Sequence, residues 1–588
     1  MNSYIKKAVC CLLRPLQGGG SFFIFTYVLL LLVLLPVWFF ARSTAKVDLW
    51  TFVEAFADVY LLAWLLSLLP KHLRQGLQAL TVTTLFVFSV VDYFAKVHFH
   101  SFINSAMVRL VMETRSNEVG NFFTSYVFQP TTLLLLLPFV AWGLAWYYYV
   151  HRWEQLRHLL GWLPQNKIKY AVLAIVVLGE SVSLPVKIKT IDVLQSPTVS
   201  DLEVKYGDLP SLSLYSSVHR VLLALRSIQL VDRQVISVRE VQKNLLAHRS
   251  DQAVPKVVVV IGESYNRAHS QLYGYHLETT PRQKAREESG QLFRFTDVIS
   301  CWNLTSYVFQ NLFSLHSIDS KDGWENYPLF PAIYKKAGYH VAFLSNQYPA
   351  STTGTLSSFS GSFFMNDPVL SKQLFDYHNT VVQLPFDDAN LLKEYDGLRV
   401  DSTYEMVIFS LLGMHFNYDE RIPSDKWKKF DESLYVSKNL SKEDRQILAD
   451  YDNATYYNDV VMEEIIRYFE KENAVVIYCP DHGEELFDGT GVWGRTYPAV
   501  MSDAELHNQF EIPFWIWCSE RFFVSHPEMI DRLQQAKDLP FMTDDLPHLL
   551  MQLTGVSSKA YDASRSPLSD TYNAKRKRVV RGWQEYKW

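Results

Sequence analysis

"VVIYCPDHGEEL", residues 475–486, opens as an unbroken apolar run and closes with Asp481, His482, Glu484 and Glu485 inside five positions. An apolar run without alternation has the pattern of a strand buried on both faces of a parallel sheet. "PKVVVVIGES" (255–264) repeats it, a β-branched run that ends on Gly262 and Glu263. Helical "LFPAIYKKAGY" (329–339) leads into "HVAFLSN" (340–346), and "YEMVIFSLLGMH" (404–415) offers a further strand. The amphipathic "YDNATYYNDVVMEEIIRYFEKEN" (451–473) then feeds the opening run. Strand alternating with helix predicts an α/β domain with a mostly parallel sheet over residues 251–588.

In such sheets ligands collect beyond the carboxyl ends of the strands. Glu263 follows one strand, Asp481 and His482 another, and His415 a third, so three loops converge on one edge.

The N-terminal third is different. Five apolar stretches, Ser21–Ala41, Thr51–Leu69, Leu77–Phe94, Thr131–Val150 and Ile168–Val186, approach the length that crosses a membrane, which is about 20 helical residues for a hydrocarbon core of roughly 30 Å. Glu54 and Asp58 interrupt the second. The first is too long for a signal peptide and four others follow it, so a retained multi-pass domain over 1–190 is expected. Lys6, Lys7 and Arg14, then Lys71 and Arg74, then Arg152, Arg157, Lys167 and Lys169 mark cytoplasmic segments by the positive-inside rule. Five spans then put the chain after about residue 190 on the outer side. Residues 191–250 read as a connector that carries the amphipathic helix "LYSSVHRVLLALRSIQLV" (214–231).

A formal net charge of −5 over 588 residues gives no sign of a nucleic-acid partner. The basic run Lys575, Arg576, Lys577, Arg578 and Arg581 reads either as a contact for anionic headgroups or as a solvated tail. Cys301, Cys479 and Cys518 fall on the outer side without paired spacing, so no disulfide framework is expected.

Carboxylates and an imidazole that leave separate strand ends are the donor types of a Zn²⁺ or Mn²⁺ site. A divalent cation gives Glu263, Asp481 and His482 a reason to share one pocket despite their like charges. Each acid alone reads equally as a solvated loop residue or a helix cap. "VISCWNLTSYVFQNLFSL" (298–315) supplies a nucleophile where a strand runs into a helix, with Asn303, Thr305 and Ser306 at the turn. A helix N-terminus favours an anion, and a hydroxyl on a metal can ionise and attack phosphorus. An ordinary N-cap is the competing reading.

"IGESYNRAHSQLYGYHLETTP" (261–281), "CWNLTS" (301–306), "LLGMHFNYDERIP" (411–423), "YDNATYYNDVV" (451–461) and "YCPDHGEEL" (478–486) stand in one order. Together with the five apolar stretches they resemble the membrane-bound phosphoethanolamine transferases that modify lipid A and other lipopolysaccharide parts. The resemblance implies a sulfatase or alkaline-phosphatase-like fold and zinc. It implies Glu263, Thr305, Asp481 and His482 as metal ligands, Thr305 as nucleophile, and His415 as a catalytic histidine associated with substrate or a second zinc. It further implies an amphipathic periplasmic helix near 102–123, with Thr114 and Glu118 beside the donor headgroup.

Three positions depart from that pattern. Asn311 stands where a cysteine partner of Cys301 is usual, so the nucleophile loop is expected to be held by packing. Leu110 replaces an asparagine four residues before Thr114. "FDGTGVWGRTYP" (487–498) lacks a family histidine, for which His507 is the nearest candidate.

The resemblance implies a bacterial inner-membrane protein with a periplasmic catalytic domain. It would act as a monomer on phosphatidylethanolamine and a glycolipid acceptor such as lipid A, with no nucleic-acid partner. A phosphoglycerol transferase on the same scaffold and a non-catalytic membrane sensor are the alternatives. A true sulfatase is disfavoured, because Cys301 is followed by "WNLT" and not by the Cys-x-Pro-x-Arg pattern of a formylglycine site.

Overall fold

The computed structural model describes residues 11–15, 20–40, 49–99, 103, 107–108, 128–160, 168–199, 201–202, 205, 216–347, 367–381, 387–496 and 500–587. The chain divides into two compact units, Met1–Val231 and Asp232–Trp588.

In the first unit five helices occupy the five apolar stretches: α1 (Gly20–Phe40), α2 (Leu49–Ser67), α3 (Lys71–Phe99), α4 (Pro130–Leu160) and α5 (Ile168–Leu194). Among the described residues, Trp50–Ser67, Lys71–Ala95 and Tyr170–Leu194 are long and apolar enough to cross a membrane, while Phe22–Leu35 and Thr132–Tyr148 are shorter apolar windows. A Cβ added to Gly179 of α5 would lie 2.8 Å from that of Ala57 in α2, so a small residue sits at their point of approach. Of the two acids that interrupt the second stretch, Asp58 is neutralised locally. Asp58 is buried and pairs with Lys187, which also holds Glu180 at 2.6 Å. A charge on so apolar a helix is favoured by such a partner. Thr114, Glu118 and Leu110 lie outside the described residues.

Helix α6 (Ser216–Lys243) contains the expected amphipathic segment. The second unit is built on a seven-stranded sheet. Its strands are β1 (Lys256–Gly262), β2 (Leu292–Phe295), β3 (His340–Ser345), β4 (Tyr377–His378), β5 (Glu405–Ser410), β6 (Ala474–Pro480) and β7 (Phe514–Cys518), in the order β2-β7-β6-β1-β5-β3-β4. β1 pairs in parallel with β5 and β6, and β3 with β4 and β5, but β7 runs antiparallel to both β2 and β6. The sheet is mixed: four of its six pairings are parallel, and β7 alone runs against the other strands. An apolar run reports burial on both faces, whereas direction is set by the connection that delivers the strand.

Val257, Val258, Val259 and Val260 are wholly buried, each contributing about 1.5–3 kcal/mol over an exposed side chain. Helix α9 (Lys442–Phe469) covers one face with Leu448, Ala454, Val461 and Ile465; α7 (Thr305–Phe313) and α8 (Phe330–Lys336) belong to the same unit. Register brings the strand ends level: Gly262 faces Pro480, and Ser410 faces both Ile261 and Ser345. The loops that leave β1, β3, β5 and β6 thus open on one edge.

Two arginines of the basic run near residue 576 depart from both sequence readings, while Lys575 and Lys577 are exposed. Arg576 forms ion pairs with buried Asp544 (2.6 Å) and Asp545 (2.7 Å), and Arg578 pairs with Asp297 (2.5 Å). These cations are spent on internal acids that lie too far off in sequence for a local charge count to register.

Candidate metal centre

Backbone contacts hold the three loops together. Asp481 N–H donates to the Gly262 carbonyl (3.0 Å), Tyr265 N–H to His482 (2.8 Å), and Met414 N–H to Glu263 (3.1 Å). Asp481 Oδ1 accepts from the N–H groups of Ser264 (3.1 Å) and His482 (2.8 Å). Ser264 adopts φ +55°, a sparsely allowed conformation for a residue with a Cβ, as the chain turns off β1. Gly483 admits no other residue, since a Cβ there would lie 2.1 Å from the Asn508 carbonyl oxygen.

Thr305 is the first residue of α7. Leu304 precedes it in extended conformation and no side chain caps the helix, so Thr305 is not an N-cap. Its hydroxyl lies 3.3 Å from Glu263 Oε2 and 3.2 Å from His482 Nε2. His482 Nε2 lies 3.1 Å from Asp481 Oδ2 and 3.5 Å from Glu263 Oε1. The expected Glu263, Thr305, Asp481 and His482 are thus drawn together, and donor atoms of Glu263, Asp481 and His482 fall within 4.8 Å of one another.

Burial alone would raise the Glu263 carboxyl, but the charges of His482, Arg495 and His415 and a hydrogen bond from Gln347 bring it down to about 2. Burial, then the Glu263 charge, drive Asp481 well above the usual carboxylate range. Burial and the Arg495 guanidinium push His482 down to about 3, so its ring is neutral. His482 Nδ1 faces the Gly483 carbonyl at 2.8 Å, which assigns the proton to Nδ1 and leaves the Nε2 lone pair to the centre. The donor set fits a divalent ion. Asp481 Oδ2 is buried without a hydrogen-bond partner among the described residues, and two carboxylates with one neutral imidazole suit zinc or manganese.

His415 is half-buried, and burial lowers its pKa against the pull of Glu263. His507, in α10 (Asp503–Phe510), is exposed; it pairs with Glu511 and lies 3.3 Å from the Tyr586 hydroxyl.

Sequence reasoning missed two residues of the centre. Gln347, just beyond β3, donates to Glu263 Oε2 (2.8 Å) and to the Leu411 carbonyl (3.2 Å); its position after an apolar strand was the available signal. Arg495 contacts His482 Nε2. The remaining acids of the opening motif act as braces. Glu484 accepts from the Tyr418 hydroxyl (2.9 Å), and Glu485 from Asn508 (2.9 Å) and Gln509 (2.9 Å).

The nucleophile loop is not held by packing alone. Cys301 N–H donates to Thr543 (3.0 Å), the Cys301 carbonyl accepts from Arg581 N–H (2.9 Å), and Asn311 bonds to the Tyr307 carbonyl (2.8 Å) and to His316 (3.1 Å). Cys301, Cys479 and Cys518 are free thiols.

The sulfatase family profile matches residues 255–556, which contain every strand of this sheet and all four converging side chains. The chain belongs to the sulfatase family. Within it, the chain is 29% identical over 323 residues to phosphoethanolamine transferase EptC of Escherichia coli O18:K1:H7, covering 54% of this chain and 53% of that protein. It is 30% identical over 281 residues to phosphoethanolamine transferase EptA of Helicobacter pylori, covering 46% and 49%. The chain spans about half the length of the curated relatives it matches. The crystal structure of the C-terminal periplasmic domain of EcEptC from Escherichia coli in complex with Zn aligns with a TM-score of 0.50 at 27% identity, over 57% of this chain and 92% of that one.

Proposed function

We propose that this sulfatase-family chain is a zinc-dependent membrane transferase that moves phosphoethanolamine from phosphatidylethanolamine to lipid A or another surface glycolipid. The observation that carries this reading is the Thr305 hydroxyl, set between Glu263 Oε2 and His482 Nε2 at 3.3 and 3.2 Å. Relatives named phosphoethanolamine transferase support the group transferred. Three helices long and apolar enough to cross a membrane among the described residues, two shorter apolar ones and the flanking charges support five membrane spans, and the family resemblance supports an inner-membrane location with a periplasmic catalytic unit.

Glu263, Thr305, Asp481 and His482 would hold the zinc, which neutralises charge on the phosphoryl oxygens and lowers the pKa of the threonine hydroxyl. In the first step Thr305 Oγ1 bonds to phosphorus as the bond to the glycerol oxygen breaks. The proton leaving Thr305 ends on diacylglycerol. In the second step an acceptor oxygen bonds to phosphorus, the Thr305 bond breaks, and Thr305 recovers a proton. His415, kept neutral by burial, is suited to accept the acceptor's proton. For Thr114 and Glu118 as headgroup contacts, and for His507 as a substrate-binding histidine, the support is the family resemblance. Donor and acceptor both lie in the outer leaflet, so a tethered site meets them at high effective concentration.

Incubation of the full chain in phosphatidylethanolamine vesicles should leave a phosphoethanolamine adduct on the peptide containing Thr305, read by mass spectrometry. A phosphoglycerol adduct would establish the alternative donor, and a Thr305→Ala protein that transfers at the parental rate would sink the reading.

A further inference from the structure

The guanidinium of Arg495 stands against His482 Nε2. That nitrogen carries the one lone pair the ring offers the centre, since Nδ1 is committed to the Gly483 carbonyl. A cation held by Glu263, Asp481 and His482 needs the same lone pair, so the two positive groups compete for it. Two cations side by side are costly in a buried pocket unless an anion lies between them.

The surroundings of Arg495 supply a second resting place. Its Nε lies 3.7 Å from Glu484 Oε2. That oxygen is buried and without a hydrogen-bond partner among the described residues, while its companion Oε1 is engaged by Tyr418. A short antiparallel pairing of Glu485–Leu486 with Trp493–Gly494 fixes where Arg495 begins. The next residue ties it to the nucleophile loop, because Asn303 Nδ2 donates to the Thr496 carbonyl at 3.1 Å. Arg495 is therefore positioned from both the β6 loop and the Thr305 loop. An arginine presents a planar fork that matches two oxygens of a phosphoryl group.

We propose that Arg495 is the phosphoryl-binding residue of this centre, braced by Glu484 and forked onto the non-bridging oxygens of the group that Thr305 carries. This rests on the transferase reading and names the residue that recognises its anionic substrate.

The test uses the full chain in detergent, loaded with zinc, with inorganic phosphate and O-phosphoethanolamine as probes. Arg495→Gln should weaken both probes about 10- to 100-fold, the size of a lost charge-assisted pair. It should keep the parental zinc stoichiometry, with zinc held as tightly or more tightly in a chelator competition. Arg495→Lys should recover part of the affinity, since it restores the charge without the fork. Probe affinity in Arg495→Gln within about threefold of the parent would overturn the proposal, and so would loss of zinc from a variant whose melting curve matches the parent. A parent protein that forms no Thr305 adduct, yet binds phosphate through Arg495, would remove the transfer reaction and leave the anion site standing.

Discussion

Two pairs of buried acids sit in the same unit and are treated differently. Asp544 and Asp545 are met by two guanidinium groups: Arg576 reaches both, and Arg565 bonds Asp545 while lying 3.5 Å from Asp544. Burial works to raise both, but Arg576 and Arg565 hold Asp544 below its usual range, while burial and the Asp544 charge push Asp545 up to about 6. Glu263 and Asp481 are equally buried, yet Asp481 Oδ2 has no hydrogen-bond partner among the described residues. A pair that exists to hold a fold brings its own counter-charge. The second pair keeps one carboxylate oxygen without a hydrogen-bond partner among the described residues, the place the proposed zinc would take.

The largest break in that comparison is expected at Thr305. Thr305→Ala should lower transfer by about 10³-fold or more, because the reaction loses its covalent path, while the melting temperature moves little; lipid A mass spectra of cells with the variant would check it. Next comes Arg576→Met, which strands buried Asp544 and Asp545 beside one remaining arginine. It should destabilise the protein by about 3–5 kcal/mol, read as a lowered denaturation midpoint, with zinc stoichiometry unchanged in the folded fraction. The reverse outcome, lost zinc with an unmoved midpoint, would mean the two pairs had been assigned the wrong way round.

A pH experiment sharpens the comparison further. His548, beside Arg565, is pushed down to about 3 by burial and that charge. A histidine whose folded pKa lies below its unfolded value of about 6.5 contributes stability above pH 6.5 and loses it as pH falls toward 3, at up to roughly 1.4 kcal/mol per unit. His548→Gln should therefore flatten the fall in stability between pH 6.5 and 5 by about 2 kcal/mol. The smallest effect belongs to Gln347→Ala, which removes the hydrogen bond that orients Glu263. Zinc affinity should drop about 10-fold, measured by chelator competition, and an unchanged affinity would show that the loop backbone alone places the carboxylate.

Glu263, Asp481 and His482 were legible in the sequence because each follows an apolar run at once, and strand register does the rest. Gln347 follows β3 in the same way but is neutral, and so drew no notice. Arg495 was hidden for another reason: it leaves a two-residue strand in a loop that has no periodicity to read. The direction of β7 was invisible because burial on two faces is identical for parallel and antiparallel neighbours. Arg576 read as part of a tail because its acids lie some thirty positions upstream, at the start of a helix, and the acid of Arg578 lies farther off still.

The Cys301 carbonyl accepts from the N–H of Arg581, a residue 280 positions later in the chain. The threonine loop is latched only once that distant segment has folded against it. The loop that bears Thr305 thus reaches its final geometry only through a long-range contact, which costs loop-closure entropy to form and places that geometry late in folding.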